Sequence, residues 1–206
     1  MLDAQRPPLD VRFIGNMAVA ISDGATTLMT DFPYRSGYSV YMTYSPDEIR
    51  SSTKATLSLI THRHPDHWER ALFDRTGWQV AGPNDVVAGI AAARQLAVTM
   101  PATFGAARIE RIETPHADVG HYSYVVTWHG RRLYFSGDTE SSDHLVALKG
   151  LDTAFVSPWL YRSVVSGGQR IDARQVVIYH HQAGETVAEC RAGCVVPKQG
   201  ETLQIR

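Results

Sequence analysis

The segment His62-Arg63-His64-Pro65-Asp66-His67 carries three imidazoles and one carboxylate in six positions, directly after an apolar run ending at Leu59-Ile60. Imidazole nitrogen and carboxylate oxygen are the donors that suit zinc and related divalent ions. His62 and His64 are two apart, so an extended backbone points both the same way and lets them grip one ion. Asp66 and His67 follow a proline, which turns the chain and aims them at a different point. One segment can therefore serve two adjacent metal positions.

Two ions need more donors than four, and the chain supplies them further on. Thr114-Pro115-His116-Ala117-Asp118-Val119-Gly120-His121, Ser136-Gly137-Asp138-Thr139 and His180-His181 each follow a strand-like run. Those runs are Arg108 to Ile112, Leu133 to Phe135 and Val176 to Tyr179. Loops held just past strand ends by a rigid scaffold are where function usually sits.

The elements that must position these groups read as a meander of short strands at Val11 to Ile14, Met17 to Ile21 and Thr26 to Met29. Thr56 to Ile60 is the strand that delivers the histidine segment, and Trp78 to Ala81 and Tyr122 to Trp128 add further strands. A short helix is expected to begin in Trp68 to Phe73. Pro83 with Val86, Val87, Ile90, Ala93 and Leu96 has a helical period. Another short helix is expected from about Glu140 to Leu148, then a strand at Thr153 to Val156 and a loop over Tyr161 to Asp172 containing Gly167-Gly168. Val195-Val196 and Leu203 to Ile205 close the chain. Mixed strands with interspersed helices imply sheets covered by helices.

The 206 residues fit a single domain over 1–206, and 44% apolar with 20% charged residues is an ordinary globular composition. A formal charge of −1 gives no field to draw in nucleic acid or anionic lipid, so neither is expected as a partner. No apolar run is long enough to span a bilayer, and the opening Met1 to Pro8 lacks the pattern of a signal peptide. A cytoplasmic location is the default. Cys190 and Cys194 are too widely spaced for a two-residue metal knuckle and are read as structural, with buried free thiols the base case and a disulfide geometrically possible but without an argued compartment.

The ordered donor set resembles that of the metallo-β-lactamase superfamily, from Phe13-Ile14-Gly15 through His181. Phe13 to Ile21, Leu28 to Pro33 and Val196 to Thr202 look most like the branch of ascorbate-6-phosphate lactonase-like hydrolases. The resemblance implies an α/β fold, a four-layered αβ/βα sandwich of two mixed β-sheets with a metal cleft at one edge. It implies two divalent metal ions, zinc first and manganese or iron as alternatives. His62, His64 and His116 would hold the first ion, Asp66, His67 and His181 the second, and Asp138 would bridge them. Aligning Val176-Val177-Ile178 with the family strand puts His181 rather than His180 at the last ligand position, since only one of two strand neighbours can face a cleft. Between Trp159 and Gln175 the family usually has an extra helix, where this chain is expected to have only a loop. The spacing between Thr114-Pro115 and Gly120-His121 also differs slightly from the commonest one.

The activity implied is hydrolysis of an ester, lactone or phosphoester of a small molecule by a hydroxide shared between the two ions, with Asp66 orienting it and shuttling its proton. A diiron redox protein on the same fold, and a non-catalytic metal or ligand binder, are the competing classes. The redox proteins of the superfamily typically carry glutamate where this chain has His64. Among the remaining candidates, Asp31 is placed to hydrogen-bond a ligand histidine. Trp159, Tyr161 and Arg162 follow a strand end and could meet substrate. His121 reads as a satisfied, partly buried histidine, His129 as solvated at a hairpin turn, and His144 as a helix residue that could face the cleft.

Overall fold

The computed structural model describes residues 6–35, 41–44, 54–96 and 101–205. Part of the opening segment, Met1 to Gln5, lies outside the described residues. One sheet contains β1 (Asp10–Gly15), β2 (Ala18–Ser22), β3 (Thr26–Thr30), β4 (Ala55–Leu59), β5 (Gln79–Ala81) and β13 (Thr202–Leu203), in the order β13-β1-β2-β3-β4-β5. The other contains β6 (Ala102–Phe104), β7 (Ala107–Glu113), β8 (Tyr122–Trp128), β9 (Arg131–Phe135), β10 (Leu151–Val156), β11 (Ala173–Ile178) and β12 (Cys194–Val195), in the order β12-β11-β10-β9-β8-β7-β6. Both are mixed: β3, β4 and β5 pair in parallel, as do β9 to β12, and the remaining pairs are antiparallel.

Side-chain alternation along these strands sorts the apolar residues into three layers. Val19, Ile21, Leu57 and Leu59 of the first sheet pack with Tyr124, Val126, Leu133, Phe135, Phe155 and Val177 of the second, forming the core between the sheets. The alternate residues Ala18, Met29 and Val80 face outward and are covered by Trp68, Phe73, Val86 and Ile90. On the far side, Val125, Tyr134, Ala154, Val156 and Ile178 are covered by Leu145, Leu160 and Val164. Those covers come from α1 (Arg70–Phe73), α2 (Asn84–Val87), α3 (Asp143–Ala147) and α4 (Pro158–Ser166) and the turns beside them. The result is the expected sandwich of helices, sheet, sheet and helices.

Three expectations need correction. The helical period after Pro83 is broken. The chain leaves α2 at Ala88, Gly89 takes a φ of 72°, and only a short 3-10 turn at Ala92–Arg94 follows. Tyr161 to Ser166 is helix rather than loop: Pro158 starts α4, Leu160 and Val164 lie four apart against the sheet, and the Gly167-Gly168 pair caps its end. A helix therefore occupies part of the stretch where only a loop was expected. Cys190 and Cys194 are bonded to each other, not free. Strand β6 had no clear sequence signal.

At the end of the sandwich away from the histidine segment, Asp23 ties the two sheets together. Its Oδ1 accepts from the Ala25 and Thr26 amides at 2.9 Å each, closing the β2–β3 turn. Its Oδ2 lies 2.9 Å from His129 Nε2 and accepts from Trp128 Nε1 at 3.3 Å, in the β8–β9 hairpin of the other sheet. His129 is thus paired rather than merely solvated. Burial pushes the Asp23 carboxyl up, but the Thr26 amide, the His129 ring, the Ala25 amide and the Trp128 indole outweigh it and hold the group well below the usual carboxylate range. A carboxyl depressed in the folded state contributes stability above its unfolded pKa of about 4 and loses it as pH falls through the folded value. Asp23→Ala should therefore cost about 2–3 kcal/mol at pH 7, the scale of losing charged hydrogen bonds and stranding their partners. Urea unfolding at pH 7 and pH 3 should show the gap to wild type narrowing at the lower pH.

Candidate metal centre

β3 and β4 run parallel, and in the other sheet β7, β9, β10 and β11 point the same way, so their C-terminal ends gather at one edge. Thr61 to His67 follows β4, His116 follows β7, Asp138 follows β9, and His180 follows β11. The two sheets are joined at this edge by hydrogen bonds from the Tyr124 hydroxyl to the Ile60 carbonyl, 2.8 Å, and from the Tyr122 amide to the Thr61 carbonyl, 2.9 Å.

Three overlapping groups of side chains there could each hold an ion: His62, His64 and His116; His62, His67 and Asp138; and Asp66, His67 and His180. His64 Nδ1 lies 2.9 Å from His62 Nε2 and 3.4 Å from His116 Nε2. Asp66 Oδ2 lies 3.5 Å from His67 Nε2 and 3.3 Å from His180 Nε2, and those two nitrogens are 3.3 Å apart. Asp138 Oδ2 sits between the groups, 3.3 Å from both His67 Nε2 and His180 Nε2, 3.9 Å from His116 Nε2 and 4.0 Å from His62 Nε2. A tetrahedral ion with ligands at about 2.0–2.1 Å holds neighbouring donor atoms about 3.3 Å apart. The spacings here, from 2.9 to 4.0 Å, bracket that value. Nitrogen lone pairs brought this close repel one another unless a proton or a cation lies between them.

The surrounding hydrogen bonds fix which ring nitrogen faces inward. The Thr61 hydroxyl donates to Asp31, 3.0 Å from Oδ2 and 3.1 Å from Oδ1, so its oxygen accepts from His62 Nδ1 at 3.0 Å. His62 Nε2 is left with a free lone pair. The Thr61 amide also donates to Asp31 Oδ1 at 2.7 Å. Asp31 Oδ2 lies 3.3 Å from His67 Nδ1, close pairing but without the alignment of a hydrogen bond. Asp31 thus reaches His62 through Thr61 and lies beside His67, without the direct hydrogen bond to a histidine that was expected.

His121 is fully used in such a network and joins none of the donor groups. Its Nε2 accepts from the Asp138 amide at 2.9 Å, which leaves Nδ1 to donate to Thr114 Oγ1 at 2.8 Å. Ser123 donates to the Ser136 carbonyl at 2.6 Å, so the Thr114 hydroxyl donates to Ser123. Burial, with further pressure from the neighbouring imidazoles, lowers the His121 pKa to about 3 and keeps the ring neutral. The close approach explains Gly137, whose φ is 59°. A Cβ there would meet the His121 ring at 2.4 Å.

Electrostatics divide the histidines. Burial and neighbouring imidazoles hold His62 well below its usual range, and burial lowers His116. Burial acts the same way on His67 and His180, but the Asp138 carboxylate, with Asp31 beside His67 and Asp66 beside His180, raises both. The same contacts hold Asp66 and Asp138 below the carboxylate range despite their burial. The cluster demands positive charge.

The structure brings together six of the seven residues expected to bind metal: His62, His64, Asp66, His67, His116 and Asp138. His181 does not join them, and His180 takes its place. β11 ends at Ile178, so strand alternation no longer governs the next residues. His180 has a left-handed φ of 54°, and its amide donates to the Asn16 carbonyl at 2.7 Å, which carries its ring into the cluster. His181 continues the inward-facing row and stacks on Phe13 at 5.6 Å, with Nδ1 donating to the Gln182 carbonyl. Asn16 was missed from sequence. Its Nδ2 donates to the Asp66 carbonyl at 2.8 Å, so one turn residue holds the backbones of both Asp66 and His180. Nothing in its type or spacing marked it.

Of the residues expected at the substrate, Trp159 lies edge-on to His180 at 5.0 Å, and Tyr41 meets the same ring at 4.6 Å. Arg162 is engaged by Glu185 and Glu189, and the Tyr161 hydroxyl donates to the Glu189 carbonyl. His144 is exposed on α3 and joins none of the donor groups.

Solved structures share this architecture. A metallo hydrolase from the hyperthermophilic archaeon Ignicoccus hospitalis superposes with a TM-score of 0.73 at 16% identity, covering 95% of this chain and 97% of its own. A metallo-β-lactamase fold protein from Bacillus subtilis gives 0.71 at 13% identity, covering 96% and 99%. A diiron β-hydroxylase from Streptomyces venezuelae gives 0.56 at 15% identity, covering 84% of this chain and 44% of its own. No curated protein matches the sequence. The family model described as beta-lactamase superfamily domain matches residues 10–197, nearly the whole chain. By that match and by its two mixed sheets, the chain belongs to the metallo-β-lactamase superfamily.

Proposed function

We propose that this protein is a metal-dependent hydrolase that cleaves an ester, lactone or phosphoester of a small molecule at a two-ion centre. The observation that carries this reading is the convergence of seven donors at strand ends with the spacing that metal ligands require. His62, His64 and His116 would hold one ion and Asp66, His67 and His180 the other, with Asp138 shared. Zinc suits the imidazole-rich first set best, and manganese or iron is the alternative. Bound there, such ions lower the pKa of water toward about 7 and polarise the scissile bond.

The chain's own groups have definite tasks. Asp66, pinned through its carbonyl by Asn16, presents its carboxylate beside His67 and His180, where it accepts a hydrogen bond from the attacking water and takes its proton. Asp31 and Thr61 orient His62 and His67. The Tyr41 and Trp159 edges wall the His180 side, exclude water and face a flat or apolar part of the substrate. With Cys190 and Cys194 bonded to each other, neither described cysteine is available as a nucleophile. The nitrogen-rich set with His64 favours hydrolysis over diiron oxidation. Lactones stand among the substrates because Phe13 to Ile21 and Val196 to Thr202 resemble the lactonase-like branch.

Elemental analysis of purified protein should find close to two divalent ions per chain, and chelation should abolish hydrolysis across a panel of lactones, esters and phosphodiesters. Fewer than one ion after reconstitution would refute the two-ion centre. His180→Ala should lose about one ion and His181→Ala should keep both; the opposite pattern would return His181 to the ligand set. Asp66→Asn should keep the fold, measured by its melting curve, while turnover falls at least by the roughly 10²–10⁴-fold worth of general acid–base help. Near wild-type turnover with full metal content would place the chemistry elsewhere.

A further inference from the structure

Two cavities lie at the other end of the second sheet and share Arg170, Ala173 and Arg174. The first, about 660 Å³, opens where β10 and β11 begin. Four guanidinium groups (Arg6, Arg132, Arg170 and Arg174) line it against two carboxylates, Asp152 and Asp172, leaving two positive charges in a chain whose net charge is −1. Asp152 is already committed. It lies 3.2 Å from Arg6 and 3.7 Å from Arg174, and it accepts from the Arg132 amide at 2.8 Å. Asp172 accepts from the Gly150 amide. The Arg170 side chain, on the boundary between the cavities, is exposed and has no hydrogen bond or ion pair within the described residues.

The second cavity, about 330 Å³, runs between α4 and β11–β12. Val164, Val165 and Val176 give it an apolar wall. Val165, 43% exposed, is the one large apolar side chain left open among the described residues. A basic basin therefore continues across Arg170 into an apolar trough. The six-residue strand β11 separates this groove from the donor cluster by roughly 20 Å.

We propose that this groove is a second ligand site, distinct from the metal centre, that takes an amphiphilic organic phosphate. The phosphate head sits among Arg132, Arg170 and Arg174, where a guanidinium fork matches its oxygens. The apolar body lies along Val165 and Val176. The site does not depend on the hydrolase reading, because none of its residues touches the donor cluster.

Calorimetric titration of the full chain with hexylphosphonate, methylphosphonate and 1-hexanol tests this, since a carbon–phosphorus bond cannot be hydrolysed at the metal centre. Hexylphosphonate should bind once per chain and at least tenfold more tightly than either the head or the tail alone, a modest share of what burying a six-carbon tail can supply. Arg170→Glu should weaken it at least tenfold. Val165→Asp should bring the two phosphonates to parity. Both residues are exposed, so unchanged melting curves are expected to show that the variants fold. His62→Ala, which disables the metal centre, should leave binding intact. Absent binding, equal affinity for the two phosphonates, or indifference to Arg170→Glu would overturn the proposal. Loss of binding in His62→Ala would place the phosphonate at the metal centre, overturning this site while leaving the hydrolase reading standing.

Discussion

Three carboxylates, Asp31, Asp66 and Asp138, are buried at one edge of the sandwich. Removing an ionised carboxylate from water costs several kcal/mol unless charge and hydrogen bonds replace its hydration. Asp31 is served by the Thr61 amide and hydroxyl, but Asp66 and Asp138 face mainly imidazoles. A neutral imidazole offers one N–H and one lone pair, so it compensates a buried anion only in part. Protonated ones would repel each other at 3.3 Å. In the proposed two-ion reading, cations among the rings would resolve both problems, with nitrogens of His62, His64 and His116 completing their coordination. The fold is arranged to make this possible. Parallel strands deliver their ends to one edge, and the tyrosines of β8 lock the two sheets together beside it.

Much of this was legible in the sequence because it depends on short-range order. Apolar alternation marks most of the strands, and the His62 to His67 spacing alone sets two donor pairs apart. What escaped depends on where a strand stops. The period-2 reading of β11 is sound through Tyr179, and it does place His181 on the inward row. It does not bring His181 into the donor cluster, because His180 lies beyond the end of the strand, where its left-handed backbone redirects the chain. α4 was obscured by its glycines, which read as a loop when they are a helix cap. The Asn16 and Thr114–Ser123 contacts connect residues by tertiary geometry, and ordinary polar residue types carry no signal of that.

The backbone shows where the fold accepts local cost for function. Five non-glycine residues have positive φ among the described residues: Asn16, Asp31, Ala117, His129 and His180. Left-handed conformations cost a side-chain-bearing residue on the order of 1–2 kcal/mol, and Asn and Asp bear them best. His129 belongs to the Asp23 clamp at the far end. The other four adjoin the donor cluster: Asn16 holds Asp66 and His180, Asp31 faces His67, Ala117 follows His116, and His180 is itself a donor. Such strain persists only where surrounding contacts overdetermine the conformation, and here four of the five residues adjoin the donor cluster. If the edge served packing alone, a glycine at 180 would relieve that cost and leave no buried imidazole to satisfy. A histidine held there, against its own conformational preference and among like rings, is accounted for by the position of its Nε2 atom.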